Sequence, residues 1–456
     1  MNVVVLAAGR GTRMRSELPK VLQPLAGRPM LAHVLATARS LAPQCICVVY
    51  GYGGEQVLAT MAATLDGMTW VEQAQQLGTG HALKQAMPHL GDASVTLVLY
   101  GDVPLVQADT LRALVEQAAR GKLAVLTVDM AQPAGYGRVV RSPSGVVVRI
   151  IEERDADAVT REIVEVNTGI MALPTDKLAD WLSRLNNDNQ QGEYYLTDVV
   201  ALAAEDGVVA VASQPDQDWE VMGVNDKVQL AAVERQLQWN CAERLMLQGV
   251  TILDPTRIDV RGNLQCGRDV SIDVGCVFSG EVVLGDDVSV GACCVLSDVV
   301  VGAGTRIAPF SHLERSQVGA NNHIGPYARL RPGTELGNSV HIGNFVEVKN
   351  SRVDDGSKIN HLSYVGDSSV GKRVNIGAGT ITCNYDGANK HRTVIEDDVF
   401  VGSGTELVAP VIVGAGATVG AGSTITRNAP AGELTLSRVK QVAISGWKRP
   451  VKKGIE

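Results

Sequence analysis

The sequence lacks any excess of positive charge. Against 49 Asp and Glu stand 41 Lys and Arg, giving a formal charge of −8 and a pI near 5.6. That excludes a chain that grips nucleic acid through a general basic face, although a local basic pocket stays open. Long apolar runs are missing too: nothing approaches the ~18 consecutive apolar residues of a membrane-spanning helix. The opening MNVVVLAAGRG has no basic segment, and its apolar stretch is too short for a signal peptide. These absences predict a cytoplasmic protein without membrane insertion. Eight cysteines (Cys45, Cys47, Cys241, Cys266, Cys276, Cys293, Cys294, Cys383) form no C-x-x-C pair, so no zinc site is predicted and they read as buried free thiols. Aromatics are few, at 4%.

What the chain does have is length and glycine. Its 456 residues exceed one ordinary core and predict two or three domains, and most of the excess among its 48 glycines falls in the second half. Up to residue 225, apolar β-type runs alternate with helical patterns. VVVLAA (3–8), CICVVYG (45–51), VTLVLYGD (95–102) and LAVLTVDM (123–130) read as strands buried on both faces, while Met30, Leu31, Val34, Leu35, Ala38 and Leu41 recur at helical spacing. That alternation predicts a doubly wound, Rossmann-like α/β domain over 1–225, with a largely parallel sheet and its ligand at the carboxyl ends of the strands. Residues 226–249 run without glycine or proline to Gly249 and set Leu230, Val233, Leu237, Cys241 and Leu245 on one stripe, which predicts a single linking helix.

From 250 to 456 an aliphatic residue followed by glycine recurs every six residues: Leu284-Gly285 and Val290-Gly291, Val318-Gly319 and Ile324-Gly325, Leu336-Gly337 and Ile342-Gly343, Val413-Gly414 and Val419-Gly420. Each unit suits one short strand and one turn, and three units close a triangular coil with the aliphatic residues inward, a parallel β-helix. Its flat apolar walls and open ends predict an oligomer. The phase slips between 291 and 319. It is lost between Gly377 and Gly402, where TCNYDGANKHRT (382–393) supplies no inward aliphatic residue; so long a polar excursion predicts a functional loop.

The first candidate site is VVVLAAGRGTRM (3–14), an apolar run opening into a glycine turn with basic residues. Met14 stands where G-x-G-x-x-G needs glycine and no G-K-[ST] follows, so it is a weak dinucleotide fingerprint and no P-loop. Backbone N–H groups from Gly9 to Thr12 can wrap a phosphate while Arg13 and Lys20 offset the charge developing on it; a passive anion site would use the same loop. With Pro19-Lys20 attached, Leu6 to Met14 resembles the L-x-x-G-x-G-T-R-M…P-K signature of sugar-nucleotide pyrophosphorylases, which join a nucleoside triphosphate to a sugar 1-phosphate. The resemblance implies Arg13 and Lys20 as catalytic groups. It sets Leu6, Ala7, Ala8, Gly9, Gln73, Gly78, Thr79, Tyr100 and Gly101 around the nucleotide, and Gly137, Glu152, Asn167 and Asn225 among the substrate-binding residues. It also implies that Asp102 and Asn225 hold Mg²⁺, an ion that takes few hard protein oxygens and keeps waters and phosphates. Arg10 stands where the signature often has Lys, which keeps the charge and alters the geometry.

The second half carries RLRPGTELG (329–337), NFVEVKN (344–350), INHLSYVGD (359–367), VNIGAGTITCNYDGANK (374–390) and SRVK (437–440). With the first signature, these resemble the bacterial bifunctional N-acetylglucosamine-1-phosphate uridyltransferase / glucosamine-1-phosphate N-acetyltransferase family, across essentially the whole chain and in the same order. The resemblance implies a left-handed β-helix of hexapeptide repeats, a homotrimer, and acetyl-CoA as co-substrate. It makes His361 the general base: an amine attacking a thioester must lose a proton, and histidine is the side chain whose unperturbed pKa lies near neutrality. Arg331 and Lys349 would clamp the sugar phosphate, as fork and point charge respectively, with Tyr364 and Asn375 beside them. The Ala378 N–H would face the thioester oxygen, and Asn384, Tyr385, Ser403, Ala421 and Arg438 would contact the amino sugar or acetyl-CoA. Arg438 lies in a tail that runs on through KRPVKKG (448–454), which would reach a neighbouring subunit.

The expected chemistry is acetylation of glucosamine 1-phosphate by acetyl-CoA, then transfer of uridylate from UTP, giving UDP-N-acetylglucosamine and pyrophosphate. In bacteria that nucleotide sugar feeds peptidoglycan and lipopolysaccharide synthesis. Two other readings stay open: a pyrophosphorylase whose β-helix only regulates or oligomerises, and a non-catalytic nucleotide-sugar-binding subunit.

Overall fold

A computed structural model describes residues 1–62, 66–450 and 452 of the chain; Val451 and residues 453–456 of the tail lie outside the described residues. The chain divides into two units, Met1–Trp239 and Asn240–Glu456. No helix among the described residues is long and apolar enough to cross a membrane.

In the first unit nine strands make one sheet: β1 (Asn2–Ala7), β2 (Cys45–Tyr50), β3 (Thr69–Glu72), β4 (Val95–Tyr100), β5 (Leu123–Asp129), β6 (Arg138–Arg141), β7 (Val147–Ile151), β8 (Glu165–Pro174) and β9 (Ala210–Ser213), in the order β3-β2-β1-β4-β8-β5-β9-β7-β6. β3, β2, β1 and β4 are mutually parallel. Alternation along β1 serves both faces: Val3, Val5 and Ala7 join one apolar layer with Leu31 and Leu35, while Val4 and Leu6 join the other with Leu83 and Trp181. β8 enters antiparallel between β4 and β5, with a register shift between Asn167 and Met171. The β6–β7 hairpin adds a second antiparallel element.

The helix Lys227–Leu247 uses its stripe twice. Leu230, Val233 and Leu237 pack with Met14, Leu25 and Met30, and Cys241 and Leu245 join the core of the second unit.

In the second unit short parallel strands stack coil on coil. One wall carries Ile272, Val290, Ile307, Ile324, Ile342, Ile359, Ile376, Val401 and Val419 in register, all buried. Hydrogen bonds between neighbouring coils join residues 17 or 18 apart, the length of three hexapeptides. The phase slip has a local cause: the strand Cys276–Leu284 bulges between Ser279 and Val282 against Val295–Val301. At the polar excursion the coil lengthens to 25 residues. There Thr382 and Thr393 occupy buried positions in place of aliphatic residues, and Thr382 Oγ1 accepts the Gly366 N–H at 2.8 Å.

All eight cysteines are free. The expectation that they are buried holds for Cys47, Cys276 and Cys294; it is corrected at Cys45, Cys241, Cys266 and Cys383, which are half-buried, and at Cys293, which is exposed at a coil corner with φ 58°. Burial pushes the Cys276 thiol up to about 11 and that of Cys294 up to about 12.

Two candidate active sites

At the carboxyl ends of the parallel strands lies a cavity of about 770 Å³. Leu6, Ala7, Ala8, Gly9 and Arg10 line it from the loop after β1, Gln73, Gln76, Gly78 and Thr79 from the segment after β3, and Tyr100 and Asp102 from the end of β4, together with Lys20 and Glu193. The loop needs its glycine. Gly11 has φ 61°, and a Cβ there would stand 2.6 Å from Lys20 Cβ. Lys20 Nζ donates to Asp102 Oδ2 at 2.5 Å and to Asn225 Oδ1 at 3.3 Å. Two hard oxygens thus converge on one cation position, a donor set that suits Mg²⁺ completed by water and phosphate. The Val224 N–H, bonded to the Asp102 carbonyl at 2.9 Å, holds the two segments together.

Gln73, 3% exposed, donates from Nε2 to the Gly78 carbonyl at 3.1 Å and lies 2.9 Å from His81 Nδ1. Thr79 Oγ1 accepts the Leu196 N–H at 3.0 Å. Burial, then the Glu152 charge, pushes the Tyr100 phenol well above its ordinary range. Gly101 lies behind the lining, its N–H bonded to the Leu6 carbonyl at 2.9 Å.

Gly137, Glu152 and Asn167 form a group of their own. The Asn167 N–H donates to the Gly137 carbonyl at 2.9 Å, and a Cβ on Gly137 would stand 3.5 Å from the Glu152 carboxylate. Thr197 Oγ1 donates to Glu152 Oε1 at 2.9 Å. Burial, followed by Asp198, Asp155 and Glu193, still holds Glu152 above the usual carboxylate range. Arg13 is exposed on the turn Thr12–Met14 that Met14 anchors, and it lines a neighbouring shallow depression rather than the cavity. Its charge nevertheless acts on Tyr136, as does that of Asp102.

The second candidate site follows a corner of the β-helix. His361 is exposed, and its Nδ1 lies 2.8 Å from Asn344 Oδ1, the residue opposite it one coil earlier. An amide oxygen only accepts, so Nδ1 carries the proton and Nε2 is left with its lone pair. Beyond His361 the turns stack: the Gly379 N–H bonds to the His361 carbonyl, Gly404 to Ala378 and Gly422 to Ser403, at 3.2, 2.8 and 2.8 Å. His361, Ala378, Ser403 and Ala421 therefore form a column along one corner, and Arg438 Nη1 donates to the Ala421 carbonyl at 2.8 Å.

Across the corner Arg331 Nη1 donates to Glu347 Oε1 at 2.8 Å, and Glu347 pairs in register with Tyr364. Asp367 takes the Asn350 amide at 2.5 Å and the buried Asn384 amide on its other oxygen. Burial raises Asp367, but those amides, with Lys349 and Lys390, bring it below its ordinary range, while Lys349 alongside pulls Lys390 down. Asn375 lies half-buried in the wall between Lys358 and Phe400. Tyr385 is exposed, its hydroxyl bonded to the Gly387 carbonyl at 2.6 Å within the loop.

The motif reading passed over Arg10 as a lining residue, and over Gln76, His81, Glu193, Asn344, Glu347, Asp367 and Lys390. One signal was available: Asn344 precedes His361 by 17 residues, and Asp367 stands 17 from both Asn350 and Asn384, each one coil away.

Fold and sites define a two-domain transferase, a nucleotide-handling α/β half joined to a hexapeptide-repeat half. The MobA-like NTP transferase domain matches residues 3–166, the GMPPB C-terminal domain residues 260–353, and the bacterial transferase hexapeptide (six repeats) residues 392–427. The bifunctional protein GlmU of Cupriavidus pinatubonensis is 62% identical, with 99% of each chain covered. That of Aromatoleum aromaticum is 60% identical over the same shares, and that of an Azoarcus species is 61% identical over 99% of this chain and 100% of its own. The chain belongs to the bifunctional GlmU family. It is an enzyme with a uridyltransferase and an acetyltransferase activity, and the reading of its β-helix as a mere regulatory module is not favoured.

Proposed function

We propose that the β-helix acetylates glucosamine 1-phosphate with acetyl-CoA and that the α/β unit joins the product to UTP, with the residue roles that follow. In the first step the sugar amine attacks the thioester carbonyl. His361 Nε2 takes the amine proton, the Ala378 N–H faces the oxygen as it gains charge, and the thiol of CoA leaves. Arg331 and Lys349 hold the sugar phosphate, with Lys390 next to them. Acetyl-CoA lies along the column of Ala378, Ser403 and Ala421, with Asn384, Tyr385 and Arg438 at hand. In the second step a sugar-phosphate oxygen attacks the α-phosphorus of UTP and pyrophosphate leaves. Lys20, Arg10 and Arg13 offset the charge that shifts onto the phosphates. Asp102 and Asn225 would hold Mg²⁺, which would supply further neutralisation of that charge. Gln73 and Gly78 read the base, and Gly137, Glu152 and Asn167 grip the acetylated sugar.

The observation that carries this reading is His361 held through Nδ1 by Asn344 at the head of the turn column; a spacer module needs no oriented base. We further infer a homotrimeric, cytoplasmic enzyme that uses Mg²⁺, with its C-terminal tail contributing to a neighbouring subunit. The test is to incubate the purified chain with glucosamine 1-phosphate, acetyl-CoA, UTP and Mg²⁺, omitting each in turn. Omission of acetyl-CoA should stop both thiol and pyrophosphate release, and omission of UTP should stop pyrophosphate alone. Undiminished pyrophosphate release without acetyl-CoA would contradict the proposed order.

A further inference from the structure

We propose that His81 sets the base specificity of the nucleotide site by holding the Gln73 amide with its oxygen toward the base; the proposal rests on the nucleotidyl reading above. The amide nitrogen of Gln73 has two hydrogens. One goes to the Gly78 carbonyl at 3.1 Å, which only accepts, so turning the amide over would set two oxygens against each other. The other points at His81 Nδ1, 2.9 Å away, which must therefore be the unprotonated ring nitrogen. Neither bond uses Oε1, and Gln73 lines the cavity. The site thus presents a fixed acceptor.

Uracil and cytosine differ at the edge such an acceptor reads. Uracil N3 carries a hydrogen, whereas cytosine N3 is a lone pair and its 4-substituent donates where that of uracil accepts. A locked oxygen pairs with the first and repels the second, and sites built around a buried polar group discriminate far more strongly than apolar pockets do. His81 does not line the cavity and reaches the base only through Gln73, so it is a positioning residue.

His81 lies on the helix Thr79–Ala86, with the Tyr194 ring 6.4 Å away. With Nδ1 accepting, its Nε2 carries the ring hydrogen, and the Gln85 amide, whose nitrogen position lies 3.2 Å from Nε2, must turn its oxygen to the ring to accept that hydrogen. Burial, then the Lys84 ammonium, lowers His81 below the ordinary imidazole range, and the Gln75 carbonyl opposes them. Protonation would put a hydrogen on Nδ1 and release the amide.

The experiment compares kcat/KM for UTP and CTP, with N-acetylglucosamine 1-phosphate and Mg²⁺, in the wild type, His81→Leu and His81→Gln. Acetyl transfer by the same preparations controls for folding. H81L should lose at least tenfold of the UTP-over-CTP preference with acetyl transfer unchanged, and H81Q, which restores an acceptor, should regain much of it. In the wild type the preference should fall on acidification below the usual histidine range, and in H81Q it should not. An unmoved ratio in an H81L chain that still acetylates would overturn the proposal, as would equal losses for UTP and CTP. A wild type inactive with UTP would overturn the nucleotidyl reading and this inference with it.

Discussion

The fold raises the proton affinity of the Glu152 carboxyl group. Its folded pKa lies above the unfolded value because burial, and then Asp198, Asp155 and Glu193, outweigh the hydrogen bond from Thr197. The sign follows: its contribution to stability is complete below the ordinary glutamate value, about 4.3, and is lost as pH rises through the raised folded value. Asp198 is shifted the same way, also by burial and Asp155. Glu152→Gln should therefore flatten the decline of the first unit's thermal midpoint as pH rises from about 4 toward neutrality; curves parallel to the wild type would contradict it. At this scale the sequence is only half legible. Lys20 and Asp102 lie 82 residues apart and Lys20 and Asn225 205 apart, so spacing alone could not join them, and their roles came from motif resemblance. His81, two residues after Thr79, carries no role legible in the sequence, because the direction of an amide is a property of the folded neighbourhood.

The β-helix was legible as an element because its six-residue step is the physical unit of the coil. In its first irregular coils the slip was legible but its cause was not, since the bulge in Cys276–Leu284 leaves no residue signature of its own. Nor was antiparallel β8, whose apolar content matches that of its parallel neighbours. Polar residues inside the coil were equally hidden. Asn322 is fully buried, donates to the Gly319 and Gly337 carbonyls at 2.8 and 2.9 Å, and accepts the Val340 N–H at 2.6 Å. It joins three turns with one side chain. Asn322→Ala leaves those backbone groups unpaired, at a cost of about 3 kcal/mol. A clearly lowered thermal midpoint of the second unit is expected, and a midpoint within about 1 °C of the wild type would show that water replaces the amide.

For the whole molecule, the account rests on two chemistries on one chain, each with its own built site. The cavity around Lys20 belongs to the first unit and the corner around His361 to the second. The most direct measurement is a pair of variants assayed twice: thiol release from acetyl-CoA with glucosamine 1-phosphate, and pyrophosphate release from UTP with N-acetylglucosamine 1-phosphate. H361A should lose thiol release by at least a hundredfold and keep pyrophosphate release near the wild type, and K20A should do the reverse. If either substitution lowered both activities in step, the two sites would not be separate and the account would fail.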